Sequence, residues 1–185
     1  MKDLFYVFMK PEYIALSISI IAICINVYIS YKNRKHLLAK EEYFKLQQVV
    51  EEIIAKLLIL DNQRRRLRIY IELTYKASKS NNSLFIDSND TFNREIFEKN
   101  GEKVTALIDI YFGDIKTQWN FCLDGMSDLY THIFILSKDI ENQSPINWEE
   151  KIKKFNELNL NLGDKPEKIA DKLKQELGVF KKENL

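Results

Sequence analysis

The sequence predicts an all-α protein: a single N-terminal transmembrane helix continuing into a cytosolic antiparallel helical bundle. Three observations predict it. An uncharged run of 19 residues, Tyr13 to Tyr31 (YIALSISIIAICINVYISY), is followed at once by Lys32, Arg34 and Lys35. Only 5 Gly and 3 Pro occur in 185 residues, too few turn-formers for a multi-strand sheet. After the run, apolar residues recur at steps of three and four, the period of a helix with one buried face.

Three regions follow in order: an interfacial segment, 1–12, a span, 13–31, and a cytosolic helical domain, 32–185. Leu4 to Met9 form a short apolar patch, and Pro11 suits a helix start. As a helix the 19-residue run is roughly 28 Å long, close to the hydrocarbon thickness of a bilayer. A cleaved signal peptide has a shorter apolar core and a small-residue cleavage site, and neither is found here. A buried soluble helix apolar on every side needs a complete protein coat, which a chain this short hardly supplies around a second core. Lys32, Arg34, Lys35 and Lys40 outnumber Lys2 and Lys10, so the C-terminal domain is expected in the cytoplasm and the N-terminus outside.

Ala39, Tyr43, Leu46, Val50, Ile53, Leu57 and Leu60 make a heptad seam, with Tyr43, Leu46, Val50, Ile53 and Leu57 as its association positions. The absence of Pro and Gly from Glu12 to Leu60 allows the span to run on as one helix. A second helix is expected over 63–79, where residues 69–73 also read as a short strand. Lys79 to Asp90 is a polar loop, with Ser88 or Asp90 as the next cap and a kink at Lys99-Asn100-Gly101. Ile108, Tyr111, Ile115, Trp119, Cys122, Met126, Leu129, Ile133, Leu136 and Ile140 predict one long helix, with Gly113 and Gly125 tolerated for close packing. Ser144-Pro145 breaks it. Asn147 with Glu150 caps a helix ending at Gly163, and Asp164 with Glu167 caps a last one carrying Ile169, Leu173, Leu177 and Phe180.

The candidate functional residues are few. Ala15, Ser19, Ala22, Asn26 and Ser30 share one face of the span, where small and polar side chains let helices associate in lipid. Lys32, Arg34 and Lys35 are placed for contact with anionic lipid. Arg64, Arg65, Arg66 and Arg68 are the densest basic cluster, a candidate for an anion or partner, although pairing with Asp61 or Glu72 is the simpler expectation. Asp124, Asp128 and His132 recur at i, i+4 and i+8, a ligand-like spacing that a solvated helix face explains equally well. Residues 32–68 carry a basic excess and 69–145 an acidic one, which suggests packing against each other rather than nucleic-acid binding.

Cys24 and Cys122 are not expected to pair, which fits a reducing compartment. No P-loop, G-x-G-x-x-G, H-E-x-x-H or C-x-x-C occurs, so neither an enzyme nor a cofactor or metal is expected. The layout is similar to small single-span bacterial proteins. The expected function is a membrane-anchored interaction or scaffold module that self-associates and recruits a soluble protein partner. The alternative is a membrane-acting effector of a toxin or phage-defence type, whose clustered spans disturb the bilayer.

Overall fold

The computed structural model describes residues 11–79 and 93–185, with the backbone alone for 11–14 and 16. The expected caps Ser88 and Asp90 and the patch from Leu4 to Met9 lie outside the described residues. Every described element is helical: α1 (Pro11–Lys79), α2 (Arg94–Tyr111), a 3-10 turn (Gly113–Ile115), α3 (Lys116–Glu141), α4 (Trp148–Leu162) and α5 (Lys165–Asn184). The chain divides into two units, one holding the described residues up to Lys45 with Val179–Leu185, the other Leu46–Gly178.

Two expectations about helix boundaries are corrected. The separate helix over 63–79 does not exist, because α1 runs unbroken to Lys79. No Gly or Pro interrupts it, and the buried stripe passes smoothly from Leu60 through Gln63 to Leu67, Tyr70 and Ile71. The strand over 69–73 is likewise helix. Conversely, the long helix through Ile108 to Ile140 is two helices. Phe112 leaves the helical region at φ −140°, and its N–H closes α2 on the Ile108 carbonyl at 2.8 Å. A Cβ on Gly113 would meet nothing within 4 Å, so this glycine marks the break rather than a close packing. At Gly125 the expected neighbour is present, the Leu162 Cδ1 at 3.4 Å from a built Cβ. No break interrupts α2 at Gly101, which is buried and faces Leu123.

In the larger unit each of the helices α1 to α4 runs antiparallel to the next, as pairs across them show. Glu52 bridges to Lys103 at 3.6 Å, and further along α1 the Gln63 Oε1 accepts from the Asn93 N–H at 3.5 Å. Trp119 Nε1 donates to Thr105 Oγ1 at 2.8 Å, tying α3 back onto α2. His132 and Gly125 of α3 meet Lys151 and Leu162 of α4 in reverse order. The helix starts follow the side-chain logic of N-caps. Asn93 accepts from the Ile96 N–H at 3.0 Å, and Asn147 accepts from Glu150 at 3.3 Å, as its spacing predicts. Gly163 ends α4 at φ 51°, a left-handed value that disfavours any side chain.

Two apolar clusters fill this unit. One packs Val50, Ile53, Leu57 and Leu60 of α1 against Val104, Ile108, Ile115, Trp119, Cys122, Met126, Leu162, Ile169 and Leu173. The other joins Leu67, Tyr70 and Ile71 to Leu129, Ile133, Leu136 and Phe155. The all-helical bundle is therefore as the periodicity predicts.

The transmembrane part is not carried in the same way. Among the described residues no helix is long and apolar enough to cross a membrane. Tyr13, Ile14 and Leu16 of the expected span lie outside the described side chains.

Candidate functional site

In the smaller unit the residues of α1 from Ile18 to Tyr31 are exposed on every side of the helix. Ile18 is 62 % exposed, Ile21 58 %, Val27 64 % and Tyr31 67 %, with Ile20, Ile23, Ile25, Tyr28 and Ile29 similar. A surface helix normally pairs one apolar stripe with one polar face. Here large apolar side chains occupy about two thirds of the circumference, and they are exposed throughout. Ala15, Ser19, Ala22, Asn26 and Ser30 are exposed too, on the single face where their spacing places them. The Ser19 hydroxyl donates to its own helix at the Ala15 carbonyl, 2.9 Å away, so it needs no partner from a second helix. Beyond Tyr31, Lys32, Arg34, Lys35, His36, Leu37, Leu38 and Lys40 are all exposed. In the same unit Lys181 stands over the Tyr43 ring, 5.7 Å from its centroid.

The heptad seam divides in burial between Leu46 and Val50. Val50, Ile53 and Leu57 are almost fully buried inside their own chain, whereas Tyr43 and Leu46 are half-buried. Three of the five association positions are therefore occupied by the intramolecular core and are closed to a second copy.

The arginine cluster is mostly a set of internal ties. Arg64 pairs with Asp61 at 2.7 Å and donates to the Gly163 carbonyl at 2.8 Å. Arg65 also reaches Asp61, and Arg68 pairs with Glu72. The Arg64 guanidinium thus fixes the turn between α4 and α5 to α1, a role with no signal in a contact 99 residues apart. Replacing Arg64 with Met should cost about 1.5–3 kcal/mol, the worth of hydrogen bonds to a charged group. Urea denaturation checks this, and Arg68→Met, on an exposed pair, should shift the midpoint far less.

Among the described residues, one inter-helix bridge joins the basic first segment to the acidic middle one, and it runs from Glu52 on α1 to Lys103 on α2, opposite in polarity to the expected attraction. Other pairs are local, such as Arg94 with Glu98, or join neighbours, such as Asp139 with Lys151.

The carboxylates Asp124 and Asp128 are exposed, while His132 is half-buried against α4. No group of three or more His, Cys, Asp or Glu able to hold a metal occurs among the described residues. The His132 Nε2 donates to the Lys151 carbonyl at 2.9 Å. The groove beside it, about 420 Å³, is lined by His132, Glu150, Lys151, Lys153, Lys154 and Glu157, with no apolar anchor for a small molecule. Burial holds the His132 imidazole below its ordinary value; the Lys151 carbonyl hydrogen bond opposes this, and the Lys151 and Lys154 charges add to it. The folded state then takes up this proton at lower pH than the unfolded chain does. Stability should fall as pH drops from about 6.5 through the folded value. Denaturation midpoints at pH 7 and pH 5 measure the fall, and His132→Gln should reduce it.

Burial also holds one thiol and one phenol in their protonated forms. Burial pushes the Cys122 thiol up to about 11 and the Tyr130 hydroxyl up to about 12. Cys24 is exposed, and both thiols are free.

No protein-family model, curated protein or solved structure matches this chain.

Proposed function

We propose that the chain is a membrane-anchored helical interaction module, held in the bilayer by the apolar run and presenting the bundle at the cytoplasmic face. The observation that supports this most is the helix from Ile18 to Tyr31, whose large apolar side chains cover about two thirds of its circumference and are exposed among the described residues. Leaving nine large apolar side chains half in water costs on the order of 10 kcal/mol. That equals the net stability of a typical domain. Lipid removes this cost on all sides at once, whereas a protein partner has to enclose the helix.

Self-association is part of the reading, carried by the face with Ala15, Ser19, Ala22, Asn26 and Ser30. With Val50, Ile53 and Leu57 consumed by the core, copies meet through the run alone. Asn26→Leu then weakens the oligomer by on the order of 1 kcal/mol. A second reading, an effector whose clustered helices disturb the bilayer, draws on the same exposed Asn26 face. Both need the protein in the membrane. The test is carbonate extraction of native membranes, with a C-terminal reporter for sidedness and disulfide crosslinking of Ala22→Cys in a Cys24→Ser background. Retention, a cytoplasmic signal and a crosslinked dimer are expected. Extraction into the soluble fraction sinks the anchoring, and a monomer in mild detergent sinks the association. Leakage of reconstituted vesicles favours the effector reading.

A further inference from the structure

We infer that residues Lys32 to Lys40 form a basic collar that selects anionic phospholipid head groups around the point where α1 leaves the bilayer; this rests on the anchoring reading above. At about 100° per residue, Lys32, Lys40, Arg34 and Lys35 fall at about 0°, 80°, 200° and 300° around the helix axis, with no gap wider than about 120°. All four are exposed. A helix lying in the membrane surface separates a basic face from an apolar one. This segment does the reverse, placing charge on every side, as suits a helix that crosses the surface and meets head groups all round.

The collar also has the right depth. From Tyr31 to Lys40 is about 13 Å along a helix. Head groups occupy about 5–8 Å beyond the hydrocarbon on each side, and their field persists for a Debye length of ~8 Å. The sign of the charge changes at Glu41 and Glu42, where that field has faded. Lys45 and the Lys181 beside Tyr43 lie farther out, beyond the reach of the head groups.

The full chain is reconstituted in vesicles of phosphatidylglycerol and phosphatidylcholine in equal amounts, and the lipids retained on mild detergent extraction are counted by mass spectrometry. Phosphatidylglycerol should be enriched several-fold, on the order of fivefold for each effective charge. The combined change Lys32→Gln, Arg34→Gln, Lys35→Gln and Lys40→Gln should bring the ratio near one while the protein stays inserted. Lys45→Gln with Lys181→Gln should leave it unchanged. Excess inorganic phosphate at matched ionic strength should not displace the lipid. An inserted chain with no lipid preference overturns the collar and leaves the anchoring intact. Equal loss in the outer pair, or displacement by free phosphate, overturns it in favour of a diffuse charge effect or a general anion site. A chain that does not insert overturns the anchoring reading and the collar with it.

Discussion

Trp119→Ala should be the most damaging single core substitution in the bundle, costing about 3–5 kcal/mol. The indole is fully buried where α2, α3 and the apolar side of α1 meet. Its loss leaves a cavity that helices fixed on three sides fill poorly. It also strips Thr105 of a donor, since the indole N–H bonds to that hydroxyl while the hydroxyl itself donates to the Gly101 carbonyl at 2.9 Å. A melting temperature lower by on the order of 15 °C is expected. Circular dichroism in mild detergent measures it. Trp119→Phe, which keeps most of the volume and drops only the hydrogen bond, should cost about 1 kcal/mol. If the two variants melt alike, the hydrogen bond rather than the packing carries the site.

The second large effect concerns the membrane. Ile21→Lys with Ile25→Lys places two charges on one face of the exposed helix, where the native residues are 58 % and 52 % exposed. At a helix centre each lysine adds about 2.5–3.5 kcal/mol to insertion, and each lost isoleucine removes a further ~0.5 kcal/mol. Together they should move the protein from the membrane pellet to the soluble fraction. The bundle should stay folded, because neither residue belongs to either apolar cluster. A wild-type and variant that fractionate identically would refute the bilayer as the medium around this helix.

Periodicity made much of the bundle legible. The stripe from Ile108 to Leu136 marks buried positions in α2 and α3, and the Asn147–Glu150 spacing marks the start of α4. The break at Phe112 was hidden because the 3-10 turn keeps Ile115 in phase with the core, so the apolar repeat passes through it unchanged. The single helix from Pro11 to Lys79 was hidden for the opposite reason, since the polar Asp61-Asn62-Gln63 resembles a boundary although Gln63 is buried. A heptad says that a face is covered but not by what. Val50, Ile53 and Leu57 therefore read equally well as an oligomer seam and as the intramolecular core they form. Arg64 reads as surface charge until its long-range carbonyl partner, Gly163, is known. The candidate site was the most legible part, because an apolar run between charges is defined by composition alone.

The two thiols give this molecule two independent clocks. Cys122 is silent while the bundle is closed, since its sulfur has neither access to water nor a thiolate at neutral pH. Its reaction with a water-soluble maleimide then counts openings of the core. Cys24 is uncovered by protein, so in the proposed setting only hydrocarbon shields it. Its labelling counts departures from the bilayer. Pulsed alkylation of the unaltered chain can thus separate unfolding from membrane release in one sample, each event stamped on a different sulfur.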